Sequence, residues 1–113
     1  MATIVIKDGS TLRKLDFSSI FYIQSHPQKP HFVLIVTGKR NYNLRASLTE
    51  LAESYPKYLF RCNRQTLVNL AKVKGFDREH KTLFFEQSSP GELVCSRRSF
   101  ASLIKHWSQE GGK

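Results

Sequence analysis

Three short clusters of side chains lie outside the apolar pattern of this 113-residue chain and carry groups suited to holding a polyanion. His26, Lys29 and His31 share one proline-containing segment. Asn63-Arg64 form a second cluster and Arg97-Arg98 a third. Arginine and asparagine make paired hydrogen bonds to the edges of guanine and adenine, and histidine can donate to a base acceptor or a phosphate. Arg98 falls near the expected start of a helix, where free backbone N–H groups can also hold a phosphate. Each cluster alone is an ordinary polar turn. Three of them on one strongly basic chain point to nucleic acid.

Enzymatic arrangements are absent from the sequence. It has no Gly-rich phosphate loop, no G-x-S-x-G and no H-E-x-x-H. Of the four histidines, His26, His31, His80 and His106, only the first two are close in sequence, and two ligands do not make a zinc site. Asp77 and Glu79 sit in a charged turn and read as solvated. The expectation is a protein that is not an enzyme and needs no metal or cofactor.

The charge supports the same direction. Lys and Arg number 18 against 9 Asp and Glu, a net charge of +9, and the acids are unevenly placed. None occurs between Asp16 and Glu50, a stretch holding Lys29, Lys39, Arg40 and Arg45. None occurs between Glu53 and Asp77, which encloses Lys57, Arg61, Arg64, Lys72 and Lys74. Acid-free windows build positive potential that draws in phosphate.

These groups need a scaffold, and the sequence implies one mainly of short strands. An apolar content of 40% excludes disorder and suits one small domain with its own core, expected over residues 1–108 with a flexible tail at 109–113. No apolar run reaches bilayer length, and no secretory leader pattern opens the chain, so a cytoplasmic location is expected. Cys62 and Cys95 lack C-x-x-C spacing and read as reduced thiols.

Alternation and turn signals predict strands at Thr3–Lys7 and Thr11–Leu15, joined at Asp8-Gly9, then at Ile20–Gln24, Phe32–Thr37 and Asn41–Arg45. The segment His26-Pro27-Gln28-Lys29-Pro30 must be a loop, because two prolines remove ladder donors. Ser47-Leu48-Thr49-Glu50 matches a capping box, opening a helix whose apolar face is Leu48, Leu51, Ala52 and Tyr55 and which Pro56 ends. Strands resume at Tyr58–Cys62, Thr66–Leu70, Lys72–Phe76, Lys81–Glu86 and Glu92–Ser96, the last two joined through Ser88-Ser89-Pro90-Gly91. A closing helix begins near Ser96 or Ser99, with Phe100, Leu103, Ile104 and Trp107 on one face. Neither helix has a basic polar face, so a recognition helix in a major groove is not expected. Any nucleic acid must be read by loops and strand ends.

Four segments, in order, resemble one family. Phe60-Arg61-Cys62-Asn63-Arg64-Gln65-Thr66-Leu67-Val68-Asn69-Leu70 resembles the central signature of LytTR domains, roughly F-x-R-x-H-R/N-S-x-x-V-N. Ile20-Phe21-Tyr22-Ile23-Gln24 resembles the family's I-x-Y-I/F-E strand, Ser47-Leu48-Thr49-Glu50-Leu51 its S-L-x-E-L helix, and Ser96-Arg97-Arg98 its closing S-R-R. The resemblance implies an elongated set of small antiparallel β-sheets with two short helices. It implies sequence-specific binding to direct-repeat promoter DNA through loops in successive major grooves, with two molecules per site. It also implies a receiver domain in cis, as in the response regulators of quorum-sensing, bacteriocin and competence systems. Base contacts carried over by the resemblance are His31, or His26 in its place, then Arg64 preceded by Asn63, then Arg98. Lys29, Arg61, Lys72 and Arg97 are the expected phosphate contacts, with a structural ion pair as the alternative for Arg61. The usual signature His is Asn63 here. Asn69 is expected to satisfy backbone groups rather than read a base.

A second class of function is a β module that binds RNA, a partner protein or a small ligand. Exposed aromatics on a sheet would favour RNA stacking, with Tyr22, Tyr42 and Phe84 as candidates.

Overall fold

A computed structural model describes residues 2–86 and 91–111. The residues of the expected Ser88-Ser89-Pro90-Gly91 turn before Gly91 lie outside the described residues. The strands are β1 (Thr3–Asp8), β2 (Thr11–Asp16), β3 (Ile20–Ser25), β4 (Phe32–Thr37), β5 (Asn41–Arg45), β6 (Leu59–Asn63), β7 (Thr66–Asn69), β8 (Val73–Asp77), β9 (Thr82–Phe85) and β10 (Leu93–Val94). The helices are α1 (Leu48–Ser54) and α2 (Arg97–Gly111), and single 3-10 turns occupy Phe17–Ser19 and Leu70–Lys72. The protein is mainly β, as its alternating sequence predicts. α2 continues through Gly111, past the start of the stretch that reads as a tail.

Three antiparallel sheets form. β1 and β2 make a hairpin, β10-β9-β8 a three-stranded sheet, and β5-β4-β3-β7-β6 a five-stranded one. The hairpin turns tightly because Gly9 takes φ +67, open to glycine at little cost. The five-stranded sheet is covered on both faces. Successive strand residues point to opposite faces, so each face feeds a separate core. On one side Ile23, Val33, Ile35 and Leu67 pack with Ile4, Ile6, Leu48 and Leu51 from the hairpin and α1. On the other, Phe21, Cys62 and Val68 pack with Leu83, Phe85, Phe100 and Leu103 from the small sheet and α2. β7, between β3 and β6, is therefore buried at all four positions.

α1 opens on the expected capping box. The Ser47 N–H donates to Glu50 Oε1 at 2.9 Å and the Glu50 N–H donates to Ser47 Oγ at 3.1 Å. α2 opens on Ser96, whose Oγ accepts from the Ser99 N–H at 3.2 Å. The Trp107 indole anchors its far end by donating to the Val73 carbonyl at 3.0 Å. Among the described residues, no helix is long and apolar enough to cross a membrane.

Candidate nucleic-acid interface

Antiparallel order gathers the predicted clusters. β3 ends, β4 begins, β5 ends, β6 ends and β7 begins at one edge of the five-stranded sheet. The 26–31 loop, the end of β5 and the β6–β7 turn therefore stand together. Lys29, His31, Arg61 and Arg64 line a single open recess there, with His26 and the start of α1. The Ser25 N–H donates to the Gln65 carbonyl at 3.0 Å, tying the loop's root to the turn.

The two histidines of the loop have different roles. His26 is half-buried, and its Nδ1 accepts from the Gln28 and Lys29 N–H groups at 3.1 Å each. Its ring therefore shapes the loop. The His26 N–H donates to the Phe32 carbonyl at 3.0 Å, which closes the loop at its base. His31 is exposed and held at φ +69. That region is unfavourable by roughly 1–2 kcal/mol for a residue with a Cβ, although histidine enters it more often than most. The surrounding bonds hold His31 outward in spite of this.

Arg64 is exposed at the tip of the β6–β7 turn. Arg61 Nη1 donates to the Arg64 carbonyl at 3.2 Å, so Arg61 both braces the turn and presents its remaining donors to the recess. Asn63 is different. Its Nδ2 donates to the Val94 carbonyl at 2.7 Å and its Oδ1 accepts from the Gln65 N–H at 2.8 Å. Of the four expected base contacts it is the one whose polar atoms are already engaged inside the protein.

The third cluster joins the same edge. The Ser96 N–H donates to the Cys62 carbonyl at 3.0 Å, which brings the first turn of α2, with exposed Arg97 and Arg98, against the end of β6. Beneath this junction lie Cys62 and Cys95, both free and buried, with the Cys62 thiol donating to Cys95 Sγ at 3.5 Å. That hydrogen bond, and then burial, push the Cys62 thiol well above its ordinary pKa.

Known proteins bear on this arrangement. The sequence model of the LytTr DNA-binding domain matches residues 10–108. The chain belongs to the LytTR family of DNA-binding domains. No curated protein matches the chain. Among solved structures, it resembles the LytTr DNA-binding domain of a Bacillus cereus protein described as a methyl-accepting/DNA response regulator. The TM-score is 0.68 at 21% identity, over 95% of this chain and 96% of that one. LytTR is a family of DNA-binding domains that serve transcription regulation, not a family of enzymes.

Within the LytTR domain, one expected contact stands apart. Lys72 ends the 3-10 turn after β7, at the opposite end of the sheet, beside Phe21, Thr37 and Lys39. β3 separates the two ends by roughly 17 Å at about 3.4 Å per residue. Its ammonium rests over the Phe21 ring at 5.1 Å. The fold does not bring Lys72 to the edge that holds the other seven candidates.

Arg45 is the residue that sequence reasoning did not select. It ends β5 directly opposite Phe32 in register and lines a recess with His31 and Glu50. Its guanidinium lies 5.9 Å from the Phe32 ring centre, and the Lys29 ammonium lies 5.4 Å from the same ring. The signal was present in the acid-free window, but only strand register shows that the end of β5 meets the loop. Of the three aromatic candidates for RNA stacking, Tyr22 and Tyr42 are half-buried and Phe84 is exposed. Tyr22 stacks on Phe85, Tyr42 carries Arg40, and Phe84 covers Gly75. Among the described residues, no group of three or more His, Cys, Asp or Glu could hold a metal.

Proposed function

We propose that this LytTR domain binds duplex DNA at direct repeats in promoters and reads each repeat through loops in successive major grooves. One observation carries the reading: His31 and Arg64, borne on two separate loops, and Arg98, in the first turn of α2, stand toward one edge among Lys29, Arg45, Arg61 and Arg97. The first three are assigned to base edges and the other four to phosphates. Base edges give sequence preference, whereas phosphate contacts fix register on any sequence. Two molecules would occupy a pair of repeats. A receiver domain in cis, a quorum-sensing input and a cytoplasmic location complete the reading by family resemblance.

Selection of preferred duplexes from a random pool tests it. The expected product is a repeated motif spaced by about 10–10.5 base pairs or a multiple. Arg64→Ala and Arg98→Ala should each weaken binding roughly 5- to 150-fold and relax one base position. Recovery of no shared motif, or tighter binding to matched single strands at the same salt, would refute the proposal.

A further inference from the structure

We infer that Asn63 is a positioning residue that fixes the distance between Arg64 and Arg98, and that it is not a base reader. The inference rests on the assignment of those two arginines to base edges.

β10 is two residues long and lies at the edge of the small sheet, paired with β9 at Leu93 and Val94, with one further backbone bond from the Cys95 N–H to the Lys81 carbonyl at 2.8 Å. So short a pairing is a weak support for the helix start that follows it. Two bonds from β6, which belongs to the other sheet, complete the support: Asn63 Nδ2 to the Val94 carbonyl at 2.7 Å, and the Ser96 N–H to the Cys62 carbonyl at 3.0 Å. The same Asn63 side chain uses Oδ1 to accept the Gln65 N–H at 2.8 Å, which shapes the turn that carries Arg64. One amide thus holds both ends of the Arg64–Arg98 separation, across a boundary between sheets. Reading adenine would require the same Oδ1 and Nδ2 together.

Spacing is the measurable property. One extra base pair moves the second contact by about 3.4 Å along the helix. It also rotates that contact by about 34°, at about 10.5 base pairs per turn. With two arginines held rigidly, inserting or removing one base pair between their two positions forfeits one paired contact, a penalty of roughly 10- to 100-fold.

The test titrates the full chain with its selected duplex and with duplexes whose spacer is lengthened or shortened by one base pair. The two base positions are first located as those that respond to Arg64→Ala and Arg98→Ala. In Asn63→Ala the spacer penalty should fall to about 3-fold or less while both base preferences persist. Asn63→Asp keeps the acceptor for Gln65 but loses the donor to Val94, and should relax spacing in the same way. Melting curves identify any variant that fails to fold, and the Asp variant carries the test if the Ala variant does so. An undiminished spacer penalty in the folded variants overturns the inference. So does loss of preference at one further base with spacing intact, which is the signature of a base reader. A wild-type chain with no base preference removes the underlying assignment itself, and that result is seen before any Asn63 variant is made.

Discussion

Asn69 offers a test of how far the family signature is structural. It is 2% exposed at the end of β7. Its Nδ2 donates to the carbonyls of Phe17 and Ile20 at 2.8 and 2.9 Å, and its Oδ1 accepts from the Ala71 N–H at 3.2 Å. Asn69→Ala takes the side-chain donor from the Ile20 carbonyl and the acceptor from the Ala71 N–H, while the Phe17 carbonyl keeps the Ile20 N–H. Each buried group left without a partner is destabilising by about 1–3 kcal/mol, so the variant should lose about 2–6 kcal/mol. A domain of this size is stable by about 5–15 kcal/mol in total. At about 4 °C per kcal/mol the melting temperature should fall by roughly 8–24 °C. Asn69→Asp keeps the acceptor but turns a carboxylate toward two carbonyl oxygens, and should fall at least as far. Calorimetry on both variants, paired with duplex binding well below their melting points, separates the two roles. A melting point within about 4 °C of wild type, with a base preference lost, would show that Asn69 reads DNA and would refute this reasoning.

Other expectations follow from the same geometry. Arg45→Ala should lower the slope of log affinity against log salt by about 0.9, one phosphate contact, while Lys72→Ala leaves it unchanged; titrations at several salt concentrations decide both. Ser47→Ala removes the α1 cap and should destabilise by about 1 kcal/mol in denaturant unfolding, whereas Glu50→Gln, which retains the capping box, should be nearly neutral. The His80–Asp77 pair, 3.0 Å apart and exposed, should show in NMR titration. The hydrogen bond that the His80 ring donates to the Asp77 carboxylate raises the His80 pKa and lowers that of Asp77. The His80 contribution is therefore full below the ordinary histidine range and lost as pH rises through the raised value. That of Asp77 is lost as pH falls through its lowered value. Asp77→Asn should return the His80 midpoint to the ordinary range; an unmoved midpoint would exclude the pair as its cause.

Much of the fold was legible because local rules decide it. The capping box at Ser47 and Glu50, the turn at Gly9 and the proline loop each follow from residues within four positions of one another. Expected strands match the observed ones to within one residue at each end, except at the last. Glu92–Ser96 reads as a strand of five, yet only Leu93 and Val94 pair with β9 in the ladder. The Ser96 N–H bonds to Cys62 instead, a partner 34 positions away in the chain that no local pattern reveals. The site divides along the same line. Residue type and charge could nominate His31, Arg64 and Arg98. They could not show that Asn63 is engaged elsewhere, that Lys72 lies at the far end of the sheet, or that Arg45 joins the loop. The choice between His26 and His31 likewise depends on which ring nitrogen the loop's own N–H groups occupy.

The bonds that His26 makes within its loop also bear on how quickly DNA can be recognised. Ordering a free segment on contact would oppose binding by about 1–2 kcal/mol per residue, roughly 6–12 kcal/mol for residues 26–31. Here that ordering is complete before any encounter, because two backbone donors on His26 Nδ1 and a closed base already fix the chain. If the proposed reading holds, each trial site along a genome meets a loop that need not fold on contact. The search for a promoter becomes a matter of diffusion and orientation rather than of conformational change.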